Sequence, residues 1–530
     1  MADDIKADSP TTSAHAASSS ADVEDGTVQA MGRDEAHLAS LGYKQEFYRH
    51  LGLFENWAAT FSSMNFISGI PVLFGWIMYT GGPQSAFANW TMVGGLSFIV
   101  SLSMAEIAAA LPTAGGIYFW AYRLGGDSWG PILSWMTAWW NWAGWICVVP
   151  GVQQGATNFL LSALEIAYPE QTVFSKGWFA WLLTAIGMFF AMAPNIISQQ
   201  ASQAGHHFQS SNFAFNHFYN GINLGDEKEA SDAYCWVIGV LFGAWVFYGY
   251  DASAHLAEET NEASIVVARG MWLSTLTAWV LSVPTLIIIL FCLQDFDGII
   301  NASYSNNWAE YLVQLIGPRG AIAILALLWV DSTCATASCF MSAQRVTFAI
   351  SRDGVLPFSK YFRVLNRNKI PVHAAFLVCF LSIIITCAVI GSTVAFTAIT
   401  ATATIATNFS YLIPIVARHT VGRNHFQPAE WNLGKYSIVA GVIAGLYIMF
   451  LFIVLLLPQI YPVTAETLNY APICIGIVTI ISLVGWFMPF GLGGRYWFKG
   501  PKRTIEEVDT KTEQVPVPMN VSESGKIHVS

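Results

Sequence analysis

Long apolar runs separated by short polar ones fill the chain between residues 55 and 490. Eleven of these runs are long enough for a helix to cross a bilayer core of about 30 Å. They lie near residues 55–80, 90–111, 131–165, 178–195, 234–256, 271–293, 320–345, 372–390, 394–417, 436–458 and 471–490. Their length favours helices, because tilted barrel strands would alternate over about ten residues. The pattern predicts an all-α, polytopic membrane protein.

The composition agrees with this prediction. The chain has 530 residues, of which 54% are hydrophobic and only 11% are charged, a balance that is not typical of soluble proteins. Residues 1–50 and 499–530 are polar, so we expect two disordered tails around a transmembrane domain at 51–498. The eight cysteines lie in apolar runs without metal-ligand spacing, so we predict no metal site, no disulfide framework and no cofactor. No basic face suggests a nucleic acid partner.

The distribution of Lys and Arg predicts the orientation, because cytoplasmic loops are enriched in both. If the basic segments 345–369 and 418–435 face the cytoplasm together with both tails, Arg123 and Arg269, then 21 of the 24 Lys and Arg lie on that side. Both termini are then cytoplasmic, which requires an even number of spans, so about 11–12 helices are expected. The twelfth could come from a split of 131–165 at Pro150–Gly151. The other interpretation is a span lost near the polar stretch 196–225.

Two of the apolar runs are interrupted in the middle. The first contains "NFISGIPVLFGW", with Gly69 and Pro71, and the fifth contains "FYGYDAS", with Gly249. Interrupted helices at corresponding places in two halves of a chain are the best sequence indication of a transporter's binding site. A broken turn frees backbone N–H and C=O groups, and half-helix ends add partial charges that hold a small charged solute. A plain kink or a close helix contact is the alternative.

Four segments resemble the amino acid–polyamine–organocation (APC) superfamily. They are residues 42–76, 105–126 ("AEIAAALPTAGGIYFWAYRLGG"), 249–260 ("GYDASAHLAEET") and 345–357 ("RVTFAISRDGVLP"). More closely, they resemble its fungal amino acid/choline branch, which includes GABA permeases and choline permeases. The resemblance implies the LeuT-like fold of two inverted five-helix repeats plus two further helices, with alternating access and proton-coupled uptake. The first repeat has only four apolar runs, so one helix between residues 178 and 234 is expected to be absent.

The resemblance also implies a substrate site at the two interruptions. The expected substrate-binding residues are Asn65, Ser68, Gly69, Ile70, Phe247, Tyr248, Gly249 and Tyr250. Backbone carbonyls of the second group would receive the ammonium group of the substrate. Amides near Ser68, Gly69 and Ile70 would begin the outer half-helix, whose N-terminus favours a carboxylate, and the Asn65 side chain would add a donor.

Ionisable residues within a span are costly unless they face protein or water, so they indicate a pathway. Asp251, His255 and Glu258 share one face at spacings of four and three residues. We predict Asp251 and His255 as candidates for the coupling proton, with Glu258 and Glu259 at the cytoplasmic mouth. Asp331 is the second coupling candidate. The alternatives are structural partners for the aspartates and ordinary helix-end charges for the glutamates.

Two further patterns have open interpretations. The tryptophans of "WMTAWWNWAGW" (135–145) could bind a quaternary ammonium such as choline, although aromatic residues are also common at membrane interfaces and in helix cores. Asn301, in Asn301–Ala302–Ser303, is a candidate for glycosylation on the outer side. Glu106 precedes an amphipathic stretch and is expected to be structural.

The sequence favours a secondary transporter that imports an amino acid or GABA with protons. One alternative is a choline or polyamine permease, and another is a nutrient sensor on a transporter scaffold. An enzyme is not expected, because neither HExxH nor GxSxG occurs. The expected partners are the small-molecule substrate, protons and membrane lipid. The expected location is the plasma membrane, with the vacuolar and endosomal membranes as alternatives.

Overall fold

The structure is a computed structural model that describes most of the predicted transmembrane domain. The described residues are 51–113, 115–174, 176–192, 209–224, 228–367, 369–391, 395–465 and 467–500, with 20–21, 30–31 and 41 from the N-terminal tail. The two predicted tails therefore lie almost entirely outside the described residues. In the N-terminal one, β1 (Ser20–Ala21) and β2 (Ala30–Met31) form a short antiparallel pair.

All other described elements are helical, as predicted. The α-helices are α1 Leu53–Met64, α2 Phe66–Val72, α3 Phe74–Tyr79, α4 Gly82–Ala110, α5 Ile117–Ala167, α6 Gly177–Met192, α7 Ser211–Asn216, α8 Asp232–Ile238, α9 Leu241–Ala244, α10 Ala252–His255, α11 Ala263–Phe291, α12 Phe296–Ile300, α13 Trp308–Arg352, α14 Ser359–Phe362, α15 Val372–Thr386, α16 Ala388–Gly391, α17 Ala395–His419, α18 Ser437–Leu456, α19 Ala471–Phe487 and α20 Gly494–Trp497. Three 3₁₀ turns occupy Ala257–Glu259, Val421–Asn424 and Gly434–Tyr436.

Each of the eleven predicted runs contains helix in the structure. Five helical segments are long and apolar enough to cross a membrane: Gly82–Ala110, Ala263–Phe291, Trp308–Arg352, Phe396–His419 and Gly434–Leu456. Four apolar helices are shorter: Gly177–Gly187, Asp232–Ala244, Val372–Thr386 and Ala471–Phe487. The prediction of an all-α, polytopic membrane protein is confirmed.

The two longest helices have the same internal plan, as an inverted repeat predicts. Helix α5 has one non-helical residue, Gly126 (φ 64°, ψ −170°), and α13 has one, Gly317 (φ 72°, ψ 170°). Each therefore consists of a short helix, a glycine kink and a long helix. Helix α5 continues through Pro150 and Gly151, so the predicted split there is wrong. Transmembrane helices tolerate proline when neighbouring groups satisfy the freed carbonyl.

With the split of α5 excluded, the other interpretation remains, in which a span is lost between α6 and α8. Among the described residues, only the six-residue α7 lies between Met192 and Asp232. Residues 193–208 lie outside the described residues, and they include the first part of the polar stretch 196–225 singled out above.

Helices α5 and α13 form the centre of the bundle. Helix α5 packs along α13 and α17, while α11 packs along α4 and α1. The approach of α17 depends on Gly144, because a Cβ at this position would overlap the Oγ1 of Thr407. The bundle end that carries Arg345 and Arg352 is called the inner end below, after the predicted orientation. Helices α5, α13 and α17 surround the two interruptions at mid-bundle.

Candidate substrate site

The first interruption lies at Asn65. Helix α1 ends at Met64, Asn65 adopts φ 29° and ψ 71°, and α2 begins at Phe66. The break predicted at Gly69 and Pro71 is therefore misplaced by about one turn, since both residues lie inside α2. A further boundary lies at Leu73, where α2 gives way to α3.

This shift changes which amides are free. The N–H of Gly69 donates to the Asn65 carbonyl at 2.9 Å and closes the first turn of α2. The N–H groups that open a helix are those of its first residues, here Phe66, Ile67 and Ser68. The Gly69 amide is therefore used within α2 in this conformation, and Ser68 keeps a position among the opening amides. Substrate binding at Ser68, Gly69 and Ile70 stays a prediction.

The second interruption lies where the sequence predicts it, around Gly249. Helix α9 ends at Ala244 and α10 begins at Ala252, and Gly249 between them has φ 86°. This left-handed conformation favours glycine because it has no Cβ. Among the described residues, no N–H donates to the carbonyls of Phe247 or Tyr248. These carbonyls are available to a donor from outside the backbone.

The two interruptions meet at a small cavity. Asn65, Ser68, Gly69 and Tyr248 line it, and the others are Ser63, Met64, Val72, Val148, Val152, Trp245, Ser332 and Ala335. The cavity has a volume of about 30 Å³, enough for about two water molecules. This conformation is therefore closed around the site, and an amino acid would require the two broken helices to separate.

Gly69 sets the distance between the two interruptions. A Cβ at Gly69 would lie 2.5 Å from the Cγ2 of Val246. Gly69→Ala is therefore expected to lower transport by roughly fivefold or more, since overpacking costs about 1–3 kcal/mol. Uptake of labelled substrate in cells measures this effect. Gly69→Ala combined with Val246→Ala should recover much of the rate, and an unchanged rate in Gly69→Ala alone would contradict the close contact.

Asp251 is the centre of a buried network beside the second interruption. It is fully buried, and its Oδ1 accepts from the Tyr411 hydroxyl at 2.6 Å. Its Oδ2 accepts from Trp145 Nε1 at 3.0 Å and Asn141 Nδ2 at 3.2 Å, and lies 3.0 Å from His255 Nε2. The predicted pair of Asp251 and His255 is thus brought together. Four neighbours from three elements hold a single carboxylate inside the bundle.

Sequence reasoning missed Asn141, Trp145 and Tyr411. Tyr411 also accepts the Gly249 N–H at 3.3 Å, so its hydroxyl connects the interruption to the carboxylate. No motif marks this tyrosine, which is 160 residues from Asp251 along the chain. Trp145 belongs to the tryptophan run 135–145, but none of the five tryptophans of this run lines the cavity. That run therefore gives no aromatic cage for choline around this site.

Asp331 lies at the first interruption. Its Oδ2 accepts from Asn65 Nδ2 at 2.9 Å, and the same Nδ2 lies 2.7 Å from the Ser68 hydroxyl. The adjacent Ser332 is fully buried, lines the cavity, and its hydroxyl has no hydrogen-bond partner among the described residues. An unsatisfied buried hydroxyl is costly, so it indicates a place for a ligand or water. Asp331 is thus next to the cavity, since both its hydrogen-bond partner Asn65 and its chain neighbour Ser332 line it.

Glu258 and Glu259 close the inner end of the site. Glu259 forms a two-point ion pair with Arg345, at 2.6 Å to Nε and 3.1 Å to a terminal nitrogen. Glu258 lies 3.4 Å from Arg352. Both pairs join the segment after α10 to α13. The interpretation of these glutamates as ordinary helix-end charges is wrong, since both are buried and paired across elements.

The N-terminal end of α1 reinforces this closure. The N–H of Leu51 donates to the Glu259 carbonyl at 3.0 Å, and the Asn261 N–H donates to the Leu51 carbonyl at 2.9 Å. The Ser253 hydroxyl donates to the Asn56 side chain at 2.5 Å. Segments from both interrupted spans are thus tied together at the inner end.

Two other predicted residues lie away from the site. Glu106 is buried, accepts a hydrogen bond from the Ser437 hydroxyl and lies 3.9 Å from Arg418, so it joins α4, α17 and α18. Asn301 is exposed just after α12, where its amide donates to the Asp297 carbonyl at 2.9 Å. Its glycosylation stays a prediction. Among the described residues, no His, Cys, Asp and Glu group could hold a metal ion.

With the fold and site described, comparison with known proteins identifies the family. A profile of the family described as "Amino acid permease" matches residues 54–219 and 189–480, most of the chain. The chain belongs to the amino acid permease family. "Amino-acid permease BAT1 homolog" of Oryza sativa subsp. japonica is 31% identical over 89% of this permease and 96% of the relative. "Amino-acid permease BAT1" of Arabidopsis thaliana is 31% identical, with 90% and 98% covered.

A fungal relative has a different named substrate. "Thiamine transporter thi9" of Schizosaccharomyces pombe is 28% identical over 87% of this permease and 86% of the relative. The superfamily predicted from the four motifs is confirmed. Membership of the amino acid permease family makes this permease a membrane transporter of amino acids.

The comparisons also bear on the missing helix. The two matched segments of the family profile overlap at residues 189–219, the region between α6 and α8. The alignment with the rice relative runs over 519 positions although it covers only 89% of the 530 residues of this permease. The relative therefore has residues without a counterpart here, as a deleted segment would produce.

Proposed function

We propose that this permease imports an amino acid or GABA together with protons. The observation that carries the proposal is the meeting of two helix interruptions at one cavity, with free amides on one and free carbonyls on the other. The opening amides of α2, aided by the partial positive charge of the helix end, suit a carboxylate. The carbonyls of Phe247 and Tyr248 suit an ammonium group. A zwitterion has both groups.

Proton coupling is proposed for Asp251. A carboxylate in the bundle interior is costly to leave charged, so its protonation depends on its neighbours and on access to water. Its network contacts both the interruption, through Tyr411 and Gly249, and His255. Protonation of Asp251 would weaken its acceptance of the Tyr411 hydrogen bond and release the turn that carries the substrate carbonyls. Asp331, bonded to the Asn65 turn, is the second coupling candidate.

Asp331 also supports a second candidate function, the uptake of an organic cation such as choline or a polyamine. A carboxylate beside the cavity would attract a positive group, and the fission yeast relative is named for transport of thiamine. An organic cation of this kind has no carboxylate, so the free amides of α2 would have no group to bind. The amino acid is therefore the first proposal.

Uptake of labelled GABA and of labelled amino acids tests the proposal. Cells without their own permeases would express the chain, with its presence at the surface measured by labelling. We expect uptake that rises at acidic outside pH and is inhibited by unlabelled amino acids but not by choline. Inhibition by choline or polyamines alone would overturn the first proposal in favour of the second. Substrate binding to purified protein without uptake would instead support the nutrient sensor.

A further inference from the structure

A crevice at the inner end, away from the substrate site, has the features of a lipid headgroup site. It has a volume of about 720 Å³ and lies between the kink of α5 and the C-terminal segment after α19. Its lining residues are Tyr122, Asp127, Ser128, Trp129, Pro131, Ile132, Trp486, Arg495, Phe498 and Lys499. The kink at Gly126 opens one wall, because the chain turns there before the long part of α5 begins.

An aromatic cluster fixes the other wall. Trp135 contacts Trp486, Trp497 and Phe498 at ring-centroid distances of 5.8, 5.7 and 5.4 Å, and its Nε1 donates to the Ser482 carbonyl at 3.0 Å. Phe498 is buried by these contacts. The segment after α19 is therefore folded back onto α5, and this places Arg495 and Lys499 at the crevice instead of leaving them on a free tail.

The two cations have no acidic partner there. Neither Arg495 nor Lys499 forms an ion pair with a described carboxylate, although Asp127 lies on the opposite wall. Arg495 instead stacks on Tyr496, with its guanidinium carbon 4.6 Å from the ring centre. The lining residues together carry one net positive charge. An anion of one or more negative charges is the ligand that this arrangement complements.

The surroundings of the crevice indicate a membrane surface. Trp129 is 60% exposed, Phe490 93% and Leu492 66%. Exposed aromatic and apolar side chains beside cations are typical of the membrane–water interface. In the sequence the basic run continues with Lys502 and Arg503, which lie outside the described residues. Clusters of four or more Lys and Arg directly after a transmembrane helix favour anionic lipids.

We propose that this crevice binds the headgroup of an anionic phospholipid, with Arg495 and Lys499 on the phosphate and the exposed apolar side chains in the acyl region. The occupied crevice would join the C-terminal segment to the kink of α5, and so stabilise the inner end of the helix that holds Asn141 and Trp145.

Binding to purified full-length protein tests the proposal. The probe is short-chain phosphatidylserine, added to protein in neutral detergent and followed by the shift in thermal unfolding. We expect a shift that saturates with lipid concentration. The Arg495→Gln/Lys499→Gln variant should require at least about tenfold more lipid for the same shift, because each Lys or Arg contributes appreciably to binding an anionic lipid surface. Both positions are exposed, so the variant is expected to fold. Lys499→Gln alone should give an intermediate value.

Matched controls separate this site from general charge attraction and from a phosphate site. Arg363→Gln/Arg367→Gln removes the same charge from exposed positions of the inner end outside the crevice and should leave the lipid response unchanged. An equal loss of the lipid-induced shift in both double variants would overturn the proposal. An equal shift in thermal unfolding with short-chain phosphatidylcholine would also overturn it, because the site would then show no preference for an anion. An equal shift with inorganic phosphate would overturn it as well, because the lipid would then not be required.

Discussion

A chain extended by one transmembrane helix within residues 193–208 is expected to take up amino acids at least about tenfold faster than the natural chain. The reason is that the fold has a place for this helix. In the second repeat, α17 packs along α5, and its Tyr411 reaches the interruption of the repeat's first span. An inverted repeat requires an equivalent helix along α13 that reaches Asn65.

That place is uncovered among the described residues. Ile67 and Val330, near Asn65 and Asp331, are 47% and 41% exposed, and Asn65 itself is only partly buried. In a membrane these positions would face lipid. A polar pair such as Asn65 and Asp331 in contact with lipid is costly. When the two broken helices separate to admit a substrate, the opened pathway would also border lipid on that side. Restoring the helix would cover both and close the pathway, which is why the expected effect exceeds tenfold, or about 1.4 kcal/mol.

The experiment compares two insertions of equal length. One has the corresponding helix of the Arabidopsis relative, and the other has the same residues in scrambled order, which keeps composition and hydrophobicity. Surface amount is measured for each chain, and uptake is expressed per molecule at the surface. Equal uptake of the natural, restored and scrambled chains would contradict the missing-helix interpretation and would mean that residues 177–208 already complete the first repeat.

The sequence predicts the fold well because apolar length and four motifs carry it. Each of the eleven runs became helix, and Gly249 marked the second interruption because only a left-handed turn needs glycine there. The first interruption was misplaced because Gly69 and Pro71 suggest a break, yet Asn65 provides it. Gly69 has a different role, the close approach of Val246. A single sequence does not distinguish a glycine that breaks a helix from a glycine that allows two helices to pack closely.

The site network could not be predicted from the sequence for a similar reason. Asp251 and His255 are four residues apart on one turn, so their contact follows from local spacing. Tyr411 and Asn141 come from distant helices, and their contact with Asp251 depends on how α5 and α17 pack. The ion pairs of Glu258 and Glu259 also required the position of α13. Long-range pairing of polar groups within a bundle leaves no periodic signal in the chain.

Asp251→Asn, introduced into the restored chain, is expected to lower uptake at acidic pH by at least about tenfold and to remove the stimulation by acid. The substitution keeps the size of the side chain but replaces one acceptor oxygen by an NH₂ group. This group would face the donors of Tyr411 or of Trp145 and Asn141, and a buried mismatch of this kind costs about 1–3 kcal/mol. It also removes the group proposed to take up the proton.

The pH profile separates the two roles of Asp251. A purely structural partner would lower uptake at both pH values by the same factor, so that the ratio of acidic to neutral uptake stays as in the parent chain. A coupling group makes that ratio fall to about one. Asp297→Asn, at an exposed position of α12, removes the same charge as a control and should alter neither the uptake rate nor the ratio. If Asp251→Asn keeps the ratio while Asp331→Asn abolishes it, the coupling proton belongs to Asp331 at the first interruption.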